Sequence, residues 1–160
     1  MANPLKLTPA QFRDSIGITQ ETLRHWRKVL PIFQGRSGYS PIFTTGDLVA
    51  GAIVKSLKDT CGISIKMFAN HSIEIGKICN ETPWTVLSSS TLILNLHDGD
   101  CFLISEKHKP EIANLSFAVP LSAIMESLTQ GLLLNTDQAQ HLLYFPPSEV
   151  VSANRKAASS

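Results

Sequence analysis

With 160 residues, 43% of them hydrophobic and 17% charged, the chain has the balance of one ordinary globular domain or two small ones, which excludes wholesale disorder. No apolar run reaches the roughly 18 residues of a membrane span, and Met1-Ala2-Asn3-Pro4 has neither the basic cluster nor the apolar stretch of a signal peptide. The net charge of +1 hides an asymmetry: residues 1–66 carry nine basic groups against four acidic, residues 67–160 five against nine, so the basic half suits a polyanion.

In chain order, Thr8-Pro9-Ala10-Gln11 reads as a capping box with proline at the first helical position, opening a helix that buries Phe12 and Ile16. Gly17 ends it. Thr19 caps a second helix from Gln20 to about Val29, stopped by Pro31, with Leu23 and Trp26 as its buried stripe. Two short helices around a glycine turn are the local pattern of a helix-turn-helix. Residues 34–43, rich in glycine and proline and bracketed by apolar pairs, predict a tight hairpin, or wing. Thr44-Thr45-Gly46-Asp47 is a second capping box, opening a helix with Leu48, Ile53, Val54 and Leu57 inward and Gly62 as its stop. A fourth helix is expected from Ser64 to about Cys79, with Met67 packing nearby.

The pattern changes after Asn80. Trp84–Leu87 is expected to be a strand. Residues 91–96 and 101–104 predict a hairpin with Asp98-Gly99 at its turn. Leu115–Val119 is expected to add a strand, Leu121 to about Gln130 a helix ended by Gly131, and Asp137–Leu143 a weaker helix. The expected class is α+β. A winged helix-turn-helix, mostly α with a β wing, occupies residues 1–80. A small α+β unit with a hairpin and a helix occupies 81–150, and a disordered tail 151–160.

The run from Gly17 to Trp26 resembles the recognition-helix segment of the MerR family of bacterial regulators, where a Gly-hydrophobic-Ser/Thr turn precedes Thr-Leu-Arg and two aromatic residues. Arg36-Ser37-Gly38-Tyr39 resembles that family's wing signature. Phe43 falls near its usual tyrosine, Asp47-Leu48 matches its acidic-Leu pair, and Cys61–Ile65 resembles its Gly-hydrophobic-Ser-Leu step. The similarity covers about residues 6–70. It implies a DNA-binding domain of a transcription regulator in a bacterial or phage-like cytoplasm, associated with the nucleoid. Arg13 departs from the pattern, standing where a small residue is usual, and is read as structural or solvated, with phosphate as the alternative. His25 and Trp26 replace tyrosines, and Ser40 replaces an arginine. The long dimer helix of the family is missing, because the helical pattern breaks near Pro83.

The resulting candidate DNA contacts are Thr19, Gln20, Thr22, Arg24, His25, Arg27 and Lys28 on the second helix and Arg36, Ser37 and Tyr39 on the wing. Gln20 suits adenine, Arg24 or Arg27 suits guanine or phosphate, and the resemblance assigns Arg24 to phosphate. The expected partner is double-stranded DNA, bound by a homodimer, with a protein partner or small effector conceivable at the C-terminal unit and no membrane. No catalytic, cofactor or metal site is expected. Cys61, Cys79 and Cys101 form no C-x-x-C, no His/Cys cluster and no even set, which suits reduced buried thiols in a cytoplasmic compartment. Two alternatives remain: an excisionase-like architectural factor that bends DNA, and a protein-interaction module whose helix-turn-helix has lost DNA binding.

Overall fold

The computed structural model describes residues 5–109, 111 and 114–134. The predicted helix at 137–143 and the predicted tail at 151–160 lie outside them. The chain is α+β. Among the described residues, β1 (Lys6–Leu7) leads into α1 (Pro9–Ile16) and α2 (Gln20–Val29); β2 (Phe43–Thr44) precedes α3 (Thr45–Cys61) and α4 (Ala69–Glu81). Then follow α5 (Trp84–Leu87), β3 (Ser90–Asn95), β4 (Cys101–Ser105), β5 (Ser116–Pro120) and α6 (Ser122–Leu134).

The predicted caps form. The Thr8 hydroxyl accepts the Gln11 N–H at 3.2 Å while the Gln11 side chain accepts the Thr8 N–H at 2.9 Å. Gly17 takes the left-handed φ of 68° that ends α1, and its N–H returns to the Arg13 carbonyl. Thr19 caps α2 by accepting the Thr22 N–H at 3.1 Å. Thr44 and Asp47 cap α3 reciprocally, and Gly62 closes it in the left-handed region.

Beneath α2 lies an aromatic cluster. Phe12 stacks on Phe43 with centroids 4.2 Å apart, Phe33 meets both edge-on, and Trp26 stacks on Phe33 at 6.2 Å. The second sheet is antiparallel in the order β4-β3-β5. Its central strand buries Leu92, Ile93 and Leu94. Leu121, Met125 and Leu128 carry α6 onto α1 and α3. The two units expected at 1–80 and 81–150 therefore share one hydrophobic core, which runs from Leu7 to Leu128 without a break. Buried His71 adds a polar tie, with the Asn95 carbonyl accepting from its Nε2 at 2.9 Å.

Several expectations are corrected. Residues 34–42 form no hairpin. Pro31–Phe33 is a 3-10 turn, and the only extended piece is β2, which pairs antiparallel with β1 through Lys6↔Thr44 and Leu7↔Phe43. Pro41 has no N–H to give a ladder, and the segment is instead tied down by Arg36. Trp84–Leu87 is a helical turn rather than a strand. The Val86 and Leu87 N–H groups both return to the Pro83 carbonyl at 3.0 Å, and the Ser88 and Ser90 hydroxyls donate to carbonyls of the same turn. The fourth helix starts late: Ile65–Phe68 is 3-10, and α4 begins at Ala69. Met67 is exposed. The helix predicted to stop at Gly131 runs to Leu134, since Leu132 packs on the core and extends the apolar face. The β3–β4 connection is the five-residue loop 96–100, one residue longer than expected because β3 ends at Asn95, and the Asn95 N–H donates to the Asp100 carbonyl at 2.8 Å.

Candidate nucleic-acid interface

The amphipathic pattern of α2 settles which side chains face outward. Leu23 and Trp26 are 3% and 1% exposed, so the helix is held from below, and Gln20, Arg24, His25 and Lys28 stand in solvent on the other side. Thr19 and Thr22 are less free. Their hydroxyls bond each other at 2.9 Å as part of the cap. Arg27 and Lys28 occupy the last turn, where the helix dipole favours cations. Ser37 and Tyr39 are exposed, Tyr39 at 91%.

Arg36 is placed differently from its expected role at a wing tip. Its guanidinium lies over the Phe43 ring, 5.8 Å from the centroid, and pairs with the fully buried Asp47. Its Nη1 also donates to the Ile42 carbonyl at 3.1 Å. Asp47 accepts in addition from the Thr44 N–H at 2.8 Å and from Asn80 Nδ2 at 3.2 Å. Asn80 Nδ2 donates to the Gly76 carbonyl as well, at 2.8 Å, and the Thr44 hydroxyl donates to Asn80 Oδ1. This knot ties the loop to α3 and α4. Gly46 lies inside it, where a Cβ would come within 2.4 Å of the Asn80 side chain. Arg36 is thus engaged within the fold, and of the expected wing contacts only Ser37 and Tyr39 are presented outward.

Arg27 lies against the same ring, 5.6 Å from its centroid, yet its Nε and Nη2 are buried with no hydrogen-bond partner among the described residues. Burial pushes the guanidinium below its ordinary range, but arginine stays charged at any physiological pH. Stranding such donors costs about 1–3 kcal/mol per group. Arg27 lines a cleft of about 460 Å³ between the start of α1, α2 and the loop at Gly38-Tyr39. Arg13 and Arg24 line it too, and no carboxylate does. Arg13 is the residue that sequence reasoning set aside. Its occupation of a position where a small side chain is usual was the available signal.

The cysteines have no shared site. Cys61 is exposed, Cys79 buried and Cys101 half-buried. Burial, then the charge of Asp47, pushes the Cys79 thiol up to about 12. Burial, then Glu74, does the same for Cys101, also to about 12. Among the described residues no group of three or more His, Cys, Asp or Glu is placed to hold a metal ion, and no helix is long and apolar enough to cross a membrane. Comparison with known proteins finds no matching family model, no matching curated protein and no matching solved structure.

Proposed function

We propose that the chain is a sequence-specific double-stranded DNA-binding regulator of the winged helix-turn-helix kind. Here α2 enters the major groove and the 34–42 loop lies on the adjacent backbone. The observation that carries this reading is the division of α2. Leu23 and Trp26 anchor it, while Gln20, Arg24, His25 and Lys28 face outward beside the Arg13, Arg24 and Arg27 cleft. Gln20 suits an adenine edge, and the arginines suit guanine or phosphate oxygens. Ser37 and Tyr39 supply neutral hydroxyl donors to the backbone. Thr19 and Thr22 act mainly by holding the helix start in shape. One helix and one loop give limited contact, so two copies on two half-sites belong to the proposal, as does a nucleoid-associated compartment.

The test is capture of genomic fragments by purified protein at near-physiological salt, with Arg24→Ala/Lys28→Ala as control. Arg36 is a poor control because it also holds the fold. Enrichment of one palindromic sequence, lost in the double variant, is the expected outcome; equal background from both proteins refutes it. Repeated same-direction sites would identify an architectural, DNA-bending factor instead. A second reading, a protein-interaction module with a degenerate helix-turn-helix, is favoured by the withdrawal of Arg36 into its pair with Asp47. It predicts no salt-dependent affinity for any duplex.

A further inference from the structure

The cleft beside α2 is more specific than a basic surface. Its apolar floor includes Leu23, its sides carry Arg13, Arg24 and Arg27, and Tyr39 stands at its rim. Three cations line one cavity, and no carboxylate lines it with them. Arg27 adds a geometric requirement, since two of its guanidinium nitrogens are buried and still lack an acceptor. Exposed arginines obtain acceptors from water, whereas these two nitrogens are turned inward with none from the protein. The same fold meets the charge of Arg36 with Asp47 and the Ile42 carbonyl, so the unpaired donors of Arg27 are not a general feature of arginines near Phe43.

We propose that this cleft is a receptor for a single phosphate group, seated among Arg13, Arg24 and Arg27 and closed by the Tyr39 hydroxyl, and that the backbone of bound DNA supplies it. The second half of the statement rests on the duplex-binding reading above. Phosphate fits better than a carboxylate because its oxygens point tetrahedrally, matching guanidinium groups that arrive from two helices. A cavity of about 460 Å³ takes a phosphodiester with its flanking sugars but not a duplex. Arg27 is then a binding residue through its charge and, once its side chain turns toward the cleft, through the two donors that lie buried without an acceptor in this conformation, and one occupied phosphate fixes how far α2 reaches into the groove.

The test uses the full chain and a short mixed-sequence duplex carrying a fluorophore, at about 50 mM salt. Arg27→Gln is expected to weaken binding by about tenfold and to lower the salt slope by about one. Arg13→Ala is expected to weaken it less, by about three- to fivefold. Lys58→Ala, on α3 and outside the cleft lining, should stay within about twofold of the wild type. Thermal melts of each variant establish that it is folded. If the wild type binds and both cleft variants match it, the receptor is wrong while duplex binding stands. If the wild type does not bind the duplex, the duplex reading fails, and melting with inorganic phosphate decides the cleft alone. A shift present in the wild type and absent in Arg27→Gln supports a receptor for free phosphate; no shift overturns it.

Discussion

Two guanidinium groups lie against the Phe43 ring, at 5.6 and 5.8 Å from its centroid, in two differently built surroundings. The region around Arg36 is closed, with Asp47 fully buried and drawing in Thr44, Asn80 and the loop until each of its oxygens has a partner. The region around Arg27 is open, with two stranded donors on a side chain that lines a cleft beside two more arginines. The same residue type against the same ring therefore carries opposite meanings. A buried charge with its partner inside the fold is structural, whereas the one without a partner is where we propose that an outside anion belongs.

Removing the centre of the closed region should have the largest effect. Asp47→Ala removes the carboxylate shared by Arg36, Asn80 and the Thr44 N–H and should cost about 3–5 kcal/mol, read as a fall in the urea midpoint. A loss below about 1 kcal/mol, the size of a surface pair, would break the contrast. Gly46→Ala comes next. Its new methyl meets the Asn80 side chain at 2.4 Å and its backbone Cα at 2.7 Å, and overpacking of that kind costs about 1–3 kcal/mol. Unchanged melting would mean that α3 and α4 are not held together as described.

A pH scan sharpens the same contrast with a smaller effect. Cys79 sits beside Asp47 and keeps its proton up to about 12, against an ordinary 9.0. The unfolded chain sheds that proton first, so stability is full below pH 9.0 and falls as pH rises toward about 12. Cys101 contributes over the same range, so Cys79→Ala should roughly halve that fall. In the native state at pH 8, a thiol reagent should react quickly with exposed Cys61 and slowly with the other two. The smallest change is expected from Arg27→Met, which removes donors that have no partner and should leave melting unchanged or slightly raised. Arg36→Met should lower it by several degrees, because it strands Asp47. A comparable drop in both variants would erase the distinction between the two regions.

The helical framework was legible because its signals are local. Thr8 with Gln11, Thr19 with Thr22, and Thr44 with Asp47 satisfy helix ends within three residues, and their hydrogen bonds form as read. The outward face of α2 was legible for the same reason, through the spacing of Leu23 and Trp26. What escaped was set through space. Arg36 finds Asp47 eleven residues away, and Asp47 finds Asn80 thirty-three away, so an expected wing contact became a clamp. Pro83 turns an apolar run that resembles a strand into a helical turn. The cleft needs α1, α2 and the loop brought together, and in sequence only the odd placement of Arg13 hinted at it.

The central claim, that the charge on and beside α2 is open to a polyanion, is tested most directly by the salt dependence of duplex affinity. Each neutralised phosphate contributes about −0.9 to the slope of log affinity against log salt. With Arg13, Arg24, Arg27 and Lys28 available, a slope of about −3 or steeper is predicted, falling toward about −2 in Arg27→Gln. A flat response in the wild type, or the same slope in both proteins, would contradict the account.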